Sequence, residues 1–90
     1  MSNEIHVTIE NRLGLHARPA ARFSQLASRF ASDVWLIKDG KRVDAKSILE
    51  VLTLACPTST RLTIAAEGPD ELEALTALQV LIETGFAEYD

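Results

Sequence analysis

A histidine and an arginine two residues apart, between a glycine and a proline, are the side chains here best suited to chemistry: Gly14-Leu15-His16-Ala17-Arg18-Pro19-Ala20. The glycine lets the backbone turn. The proline suits the first turn of a helix, where its missing N–H costs no hydrogen bond. His16 therefore stands at or just before a predicted helix N-terminus. Unpaired N–H groups and the positive end of the helix dipole favour an anion there. Arg18 adds a guanidinium fork that matches phosphate geometry. A neutral imidazole is a nucleophile near neutral pH. Beside an anion site it could capture a phosphoryl group, whose oxygens would face the Ala17 and Arg18 backbone N–H groups and the Arg18 side chain. The competing reading, a surface or capping histidine without chemistry, is the default for a lone loop histidine. The residues around His16 weigh against it.

The elements that must carry this site emerge from the hydrophobic pattern. Ile5, Val7 and Ile9 alternate with His6 and Thr8, which predicts a half-buried strand over residues 5–9. From Ala17 the period becomes helical: Ala20, Phe23, Leu26, Ala27 and Phe30 share one face, with Arg22, Gln25 and Arg29 opposite. A second strand is predicted from Val34 to Lys38 and a third from Lys41 to Ala45. They are joined through Asp39-Gly40, a pair that tolerates the positive φ of a type I′ turn. Ser47-Ile48-Leu49-Glu50 fits a capping box, with Ser47 at the N-cap of a short helix and Glu50 reaching back. Leu62, Ile64 and Ala66 alternate with Arg61, Thr63 and Ala65 as a fourth strand. Gly68-Pro69-Asp70 opens a last helix whose buried face is Ala74, Leu75, Leu78, Leu81 and Ile82, with Gly85 at its C-terminal cap. The order β-α-β-β-α-β-α predicts an α+β fold: a four-stranded antiparallel sheet with three helices on one face and the other face open. Trp35, opposite in parity to Val34 and Leu36, belongs on the open face, covered by long neighbouring side chains.

Composition bounds the function. The 90 residues make one domain, 1–90, with a net charge of −4 and one cysteine. There is no overall basic field for nucleic acid and no disulfide framework, which suits a reducing cytoplasm. No signal peptide and no membrane-spanning run is expected. His6, His16 and Cys56 lack metal-ligand spacing, so neither a metal nor a cofactor is expected. Cys56 reads as a small apolar filler. No carboxylate pair or nucleophile elbow supports a stand-alone hydrolase.

Residues 14–20 resemble the active-site signature of HPr, the histidine-containing phosphocarrier of the bacterial phosphoenolpyruvate-dependent phosphotransferase system. Ala45-Lys46-Ser47-Ile48 resembles the family's second motif, and Glu67-Gly68-Pro69-Asp70-Glu71 the turn into its last helix. The similarity runs along the whole chain. It implies an open-faced β-sandwich with three helices over four strands. It implies that His16 accepts a phosphoryl group on Nδ1 from phosphorylated enzyme I and passes it to an enzyme II A-domain, with Arg18 assisting. Such a chain is an intermediate in phosphoryl transfer more than a stand-alone catalyst. The implied docking residues are Leu15, Ala20, Ile48, Leu49 and Leu52, on a monomer. Arg12, Arg18, Arg22, Arg29 and Lys46 could add a basic patch for acidic partners.

Ser47 is first a helix N-cap. It also matches the position that a serine kinase phosphorylates in some members, although Glu50, where many members have glycine, sets a carboxylate against that phosphate. Leu13 replaces a small polar residue, and Ala55 and Ser59 replace glycines common in the family. Residues 11–14 and the Gly85-Phe86 tail look closer to the proteobacterial type that includes the nitrogen-related branch. The alternative function is a phosphorylation-dependent regulatory adaptor that binds transcriptional regulators or enzymes. The His16/Arg18 pair favours the carrier, since a pure adaptor does not need it.

Overall fold

Strict alternation makes the first strand. The computed structural model describes residues 3–87, and in it β1 runs Asn3–Thr8, with Val7 buried and His6 and Thr8 exposed. Then come α1 (Ala17–Ala27), β2 (Asp33–Lys38), β3 (Lys41–Asp44), α2 (Ile48–Leu52), β4 (Arg61–Glu67), α3 (Glu71–Glu83) and a 3-10 turn at Gly85–Ala87. The sheet order is β1-β4-β2-β3, and every neighbouring pair is antiparallel. The expected α+β open-faced architecture is the one observed.

Register sorts the two faces. Ile5, Ile64, Leu36 and Val43 form one row across the sheet and join the core. The next row, His6, Thr63, Ile37 and Arg42, points away from the helices. Trp35 lies on that open face, half-buried, with the Arg42 guanidinium 4.0 Å from its ring centroid. Arg42 is the diagonal neighbour of Trp35, a position from which a long side chain can reach across. Under the helices, Phe23, Phe86, Ile9, Leu78 and Ile82 are among the largest fully buried side chains.

Turn chemistry joins the elements as predicted at the hairpin: Asp39 and Gly40 have φ of 50° and 81°. Elsewhere the structure corrects the sequence reading. Ile9 leaves the strand ladder, because its partner segment bends at Ser59 (φ 73°); it pairs with that segment through Ile9 N–H to the Thr60 carbonyl and Ser59 N–H to the Ile9 carbonyl. The capping box is half formed. The Ser47 hydroxyl accepts from Glu50 N–H at 3.3 Å, but the Glu50 carboxylate accepts from Asp44 N–H at 3.2 Å. The Ser47 N–H already donates to the Asp44 carbonyl, so the reciprocal bond has no donor. Leu26, Phe30 and Leu81 sit at the margin of the core and are only partly buried.

Two lysines close helix ends. Lys38 Nζ donates to the Leu54 and Ala55 carbonyls at 3.1 and 2.9 Å, and Lys46 Nζ to the Phe30 carbonyl at 2.8 Å. Cations at the carbonyl ends of helices complement the dipole. Asp70, at the N-cap of α3, turns its carboxylate away from its own helix and into the α1–β2 connection, where the N–H groups of Ala31 and Ser32 meet it at 2.9 Å.

Candidate functional site

The site begins with a turn. Asn11-Arg12-Leu13-Gly14 closes through Gly14 N–H to the Asn11 carbonyl at 3.1 Å. Asparagine at the first position and glycine at the fourth are what a tight turn favours. Gly14 has φ +72°, and a Cβ there would lie 2.4 Å from the Cys56 carbonyl oxygen, so only glycine fits. The next N–H, of Leu15, donates to that carbonyl at 2.8 Å. Backbone hydrogen bonds thus lace the 9–15 segment to the 56–60 segment and make it a fixed mount for the start of α1.

His16 comes directly after this mount, at the N-cap of α1. Its backbone is extended (φ −83°, ψ −171°), and its carbonyl accepts the Ala20 N–H at 2.9 Å, which starts the helix. Its side chain does not cap the helix. Ala17 and Arg18 are the first two helical residues, and Pro19, the third, has no N–H. The N–H groups of Ala17 and Arg18 have no carbonyl within the helix to reach. The first turn holds no acidic residue, so no carboxylate neutralises the dipole or Arg18 there. His16 is half-buried, while Ala17 and Arg18 are exposed. A nucleophilic ring thus stands at the positive end of an eleven-residue helix, open to partners and not enclosed in a cavity.

α2 packs against α1. Leu49 is 75% exposed and Leu52 36%, while Ile48 is partly buried against the core. A groove between the two helices is lined by Ala21, Ser24, Gln25, Ser28, Lys46 and Ile48. The buried Ser24 hydroxyl has no hydrogen-bond partner among the described residues.

Two expected docking residues are core residues. Leu15 is 6% exposed and Ala20 fully buried. Leu15 is carried inward by the bond from its N–H to Cys56, and Ala20 lies on the face of α1 that also buries Phe23. The basic patch is smaller than expected. Lys46 is tied to the Phe30 carbonyl and Arg22 to the Phe86 carbonyl; of the remaining three exposed cations, Arg29 lies beyond the C-terminal end of α1, which leaves Arg12 and Arg18 at the His16 end. Cys56 is buried, and burial pushes its thiol up from the ordinary value, with the Lys38 charge opposing. Such a thiol is a poor nucleophile, in keeping with its reading as a filler.

Sequence reasoning passed over Asn11, whose Nδ2 donates to the Gly14 carbonyl at 2.6 Å. The signal was present as Asn-x-x-Gly. It also passed over the φ of 50° at Ala55 and 73° at Ser59, two non-glycine residues in the left-handed region.

Comparison with known proteins agrees with this geometry. The family described as PTS HPr component phosphorylation site matches residues 3–84. The phosphocarrier protein HPr of Cupriavidus necator is 48% identical over 81 residues, 90% of this chain and 91% of that one. The HPr-like protein Crh of Bacillus subtilis is 51% identical over 77 residues, 86% of this chain and 91% of its own. The crystal structure of an HPr from Thermoanaerobacter tengcongensis superposes with a TM-score of 0.93 at 46% identity, covering 98% of this chain and 99% of that one. An HPr from the same organism has also been solved as a dimer, with a TM-score of 0.78 at 48% identity, covering 96% of this chain and 99% of that one. The chain belongs to the HPr family.

Proposed function

We propose that this HPr-family chain carries a phosphoryl group on His16 between proteins of the phosphotransferase system. The observation that carries the reading is the placement of His16 at the open N-terminus of α1, with Arg18 beside it and no acid in the first turn. In the proposed step, the lone pair of Nδ1 forms a bond to phosphorus as the donor's bond to phosphorus breaks. The three phosphoryl oxygens then face the Ala17 and Arg18 N–H groups and the Arg18 guanidinium. The donor is phosphorylated enzyme I and the acceptor an enzyme II A-domain. Each must supply the rest of the active site, because His16 stands at an open surface. Exposed Leu49 and Leu52, with the groove between α1 and α2, are the docking surface. The active form is a monomer in the cytoplasm.

The regulatory reading keeps the same fold and adds Ser47. The likeness to the HPr-like protein Crh favours considering it. Against it, the Glu50 carboxylate is held on the Asp44 N–H, at the same helix start as the Ser47 hydroxyl. A phosphate on Ser47 would meet that negative charge. The test of the main reading adds phosphoenolpyruvate and enzyme I to the chain and looks by mass spectrometry for an acid-labile phosphoryl group. The expected result is one group per chain, absent from His16→Ala. Label that persists in His16→Ala contradicts the assignment. Onward transfer to sugar-type and nitrogen-type A-domains, run side by side, assigns the branch.

A further inference from the structure

The peptide unit between Gly14 and Leu15 is held at both poles. Its carbonyl oxygen accepts from Asn11 Nδ2 at 2.6 Å, and its N–H donates to the Cys56 carbonyl at 2.8 Å. A glycine on one side makes such a unit easy to rotate, because no side chain opposes the change in ψ. On the upstream side the loop is next laced to the core at Ile9, through Thr60 and Ser59. Between those two attachments, the hydrogen bonds that fold residues 10–14 back on themselves, among the described residues, run through Asn11, by its backbone carbonyl and its carboxamide.

The carboxamide makes this bond at a cost to itself. Asn11 is 8% exposed, and its Oδ1 is buried without a hydrogen-bond partner among the described residues. A buried unpaired acceptor is destabilising. Turning the amide over does not cure this, since it would set Oδ1 against the Gly14 carbonyl, acceptor to acceptor. The side chain thus leaves one of its own groups unsatisfied while fixing a single peptide plane beside the nucleophile. The 3-10 turn lies beside Asn11: a Cβ at Gly85 would stand at ordinary contact distance, 4.0 Å, from the Asn11 Cβ.

We propose that Asn11 is a positioning residue for phosphoryl transfer. Its carboxamide prevents rotation of the Gly14–Leu15 peptide, keeps the Leu15 side chain in the core, and so sets where the His16 ring stands relative to the Ala17 and Arg18 N–H groups. The inference rests on His16 being the phosphoryl acceptor proposed above.

Two variants test it. Asn11→Asp keeps the shape and removes the donor. Asn11→Ala removes the donor and the orphaned acceptor together, so it decides alone if the buried carboxylate unfolds the first variant. Each is assayed with phosphorylated enzyme I, separating kcat from KM for the carrier, and by hydrogen exchange at the Leu15 and Ile64 amides. The expected result is a kcat lowered by about tenfold or more, because small misplacements of a reacting group are costly. KM should change by less than about twofold, since the docking helices are untouched. The Leu15 amide should lose protection while Ile64, in the sheet, keeps it. A merely structural role lowers the urea midpoint and leaves the kcat of folded protein unchanged; that result overturns the proposal. So does a lowered kcat with Leu15 protection intact. A wild-type chain that takes no phosphoryl group overturns the reading beneath, and is distinguished because the unmodified protein is itself inactive.

Discussion

The two ends of α1 are finished in opposite ways. Just beyond its C-terminal end, the Asp70 carboxylate receives the Ala31 N–H at 2.9 Å, the Ser32 N–H at 2.9 Å and the Ser32 hydroxyl at 2.5 Å. The Asp70 N–H returns to the Ser32 oxygen at 3.2 Å. Gly68 completes the knot, since a Cβ there would lie 2.6 Å from Ser32. At the N-terminal end no carboxylate sits in the first turn, and the His16 side chain does not cap. One end is a closed structural joint made by side chains. The other is laced from below by backbone bonds and left electrostatically incomplete above, where an incoming anion can complete it. In the proposed function the joint serves stability and the incomplete end receives the phosphoryl group.

That contrast can be broken by experiment, most severely at Gly14. Gly14→Ala forces a Cβ onto the Cys56 carbonyl in a left-handed backbone. Urea unfolding should show a loss of roughly 2–4 kcal/mol from strain and overpacking combined. Phosphoryl acceptance should fall with it, because the mount of His16 is displaced. Asp70 comes next and should touch stability alone. The hydrogen bonds from Ser32 and Ala31 hold its carboxyl below the usual carboxylate range. Its stabilising effect is therefore present above the unfolded-state value of about 3.9 and is lost as pH falls through the lower folded value. Asp70→Asn should lower Tm at neutral pH, with the difference from wild type shrinking in scans taken progressively below about pH 4. Phosphoryl acceptance at neutral pH should stay at the wild-type level while the variant is folded.

Smaller effects sharpen the picture of the laced side. Ala55 and Ser59 hold φ of 50° and 73° without being glycine. Ala55→Gly and Ser59→Gly should each raise stability by about 0.5–1 kcal/mol, the relief of left-handed strain exceeding the added entropy of the unfolded chain. A loss of stability in both would show that neither position is strained. The smallest change in stability belongs to Leu49→Ser, at a side chain 75% exposed. Unfolding should shift by less than about 0.5 kcal/mol, while KM for transfer with enzyme I rises. An unchanged KM would remove Leu49 from the docking surface.

The sequence spoke most clearly where a period or a fixed turn governs the backbone. Alternation separated Ile5 and Ile64 from His6 and Thr63 and put Trp35 on the open face, and Asp39-Gly40 announced the hairpin. The start of α1 was legible from Pro19 and the apolar spacing after it, and with it the place of His16. Irregular backbone was less readable. Leu15 lies in a loop with no period to say which way it points, and its burial depends on a carbonyl supplied by Cys56, forty-one residues away in the sequence. Glu50 was expected to cap Ser47 because the local pattern fits, but the Asp44 N–H, at the end of β3 and outside the capping box, took the carboxylate. Arg22 looked like a solvated charge on the polar side of α1, yet it reaches the Phe86 carbonyl at the far end of the chain. In each case a partner outside the local pattern overrode a local preference.

The central claim is that the open end of α1 is where the phosphoryl group is held, and amide chemical shifts test it directly. Proton–nitrogen spectra are recorded before and after phosphorylation by enzyme I and phosphoenolpyruvate. The Ala17 and Arg18 amides should move downfield together as they take up charge-assisted hydrogen bonds, and the Ser32 amide at the other end should stay in place. A phosphorylated chain whose Ala17 and Arg18 amides do not move would contradict the account.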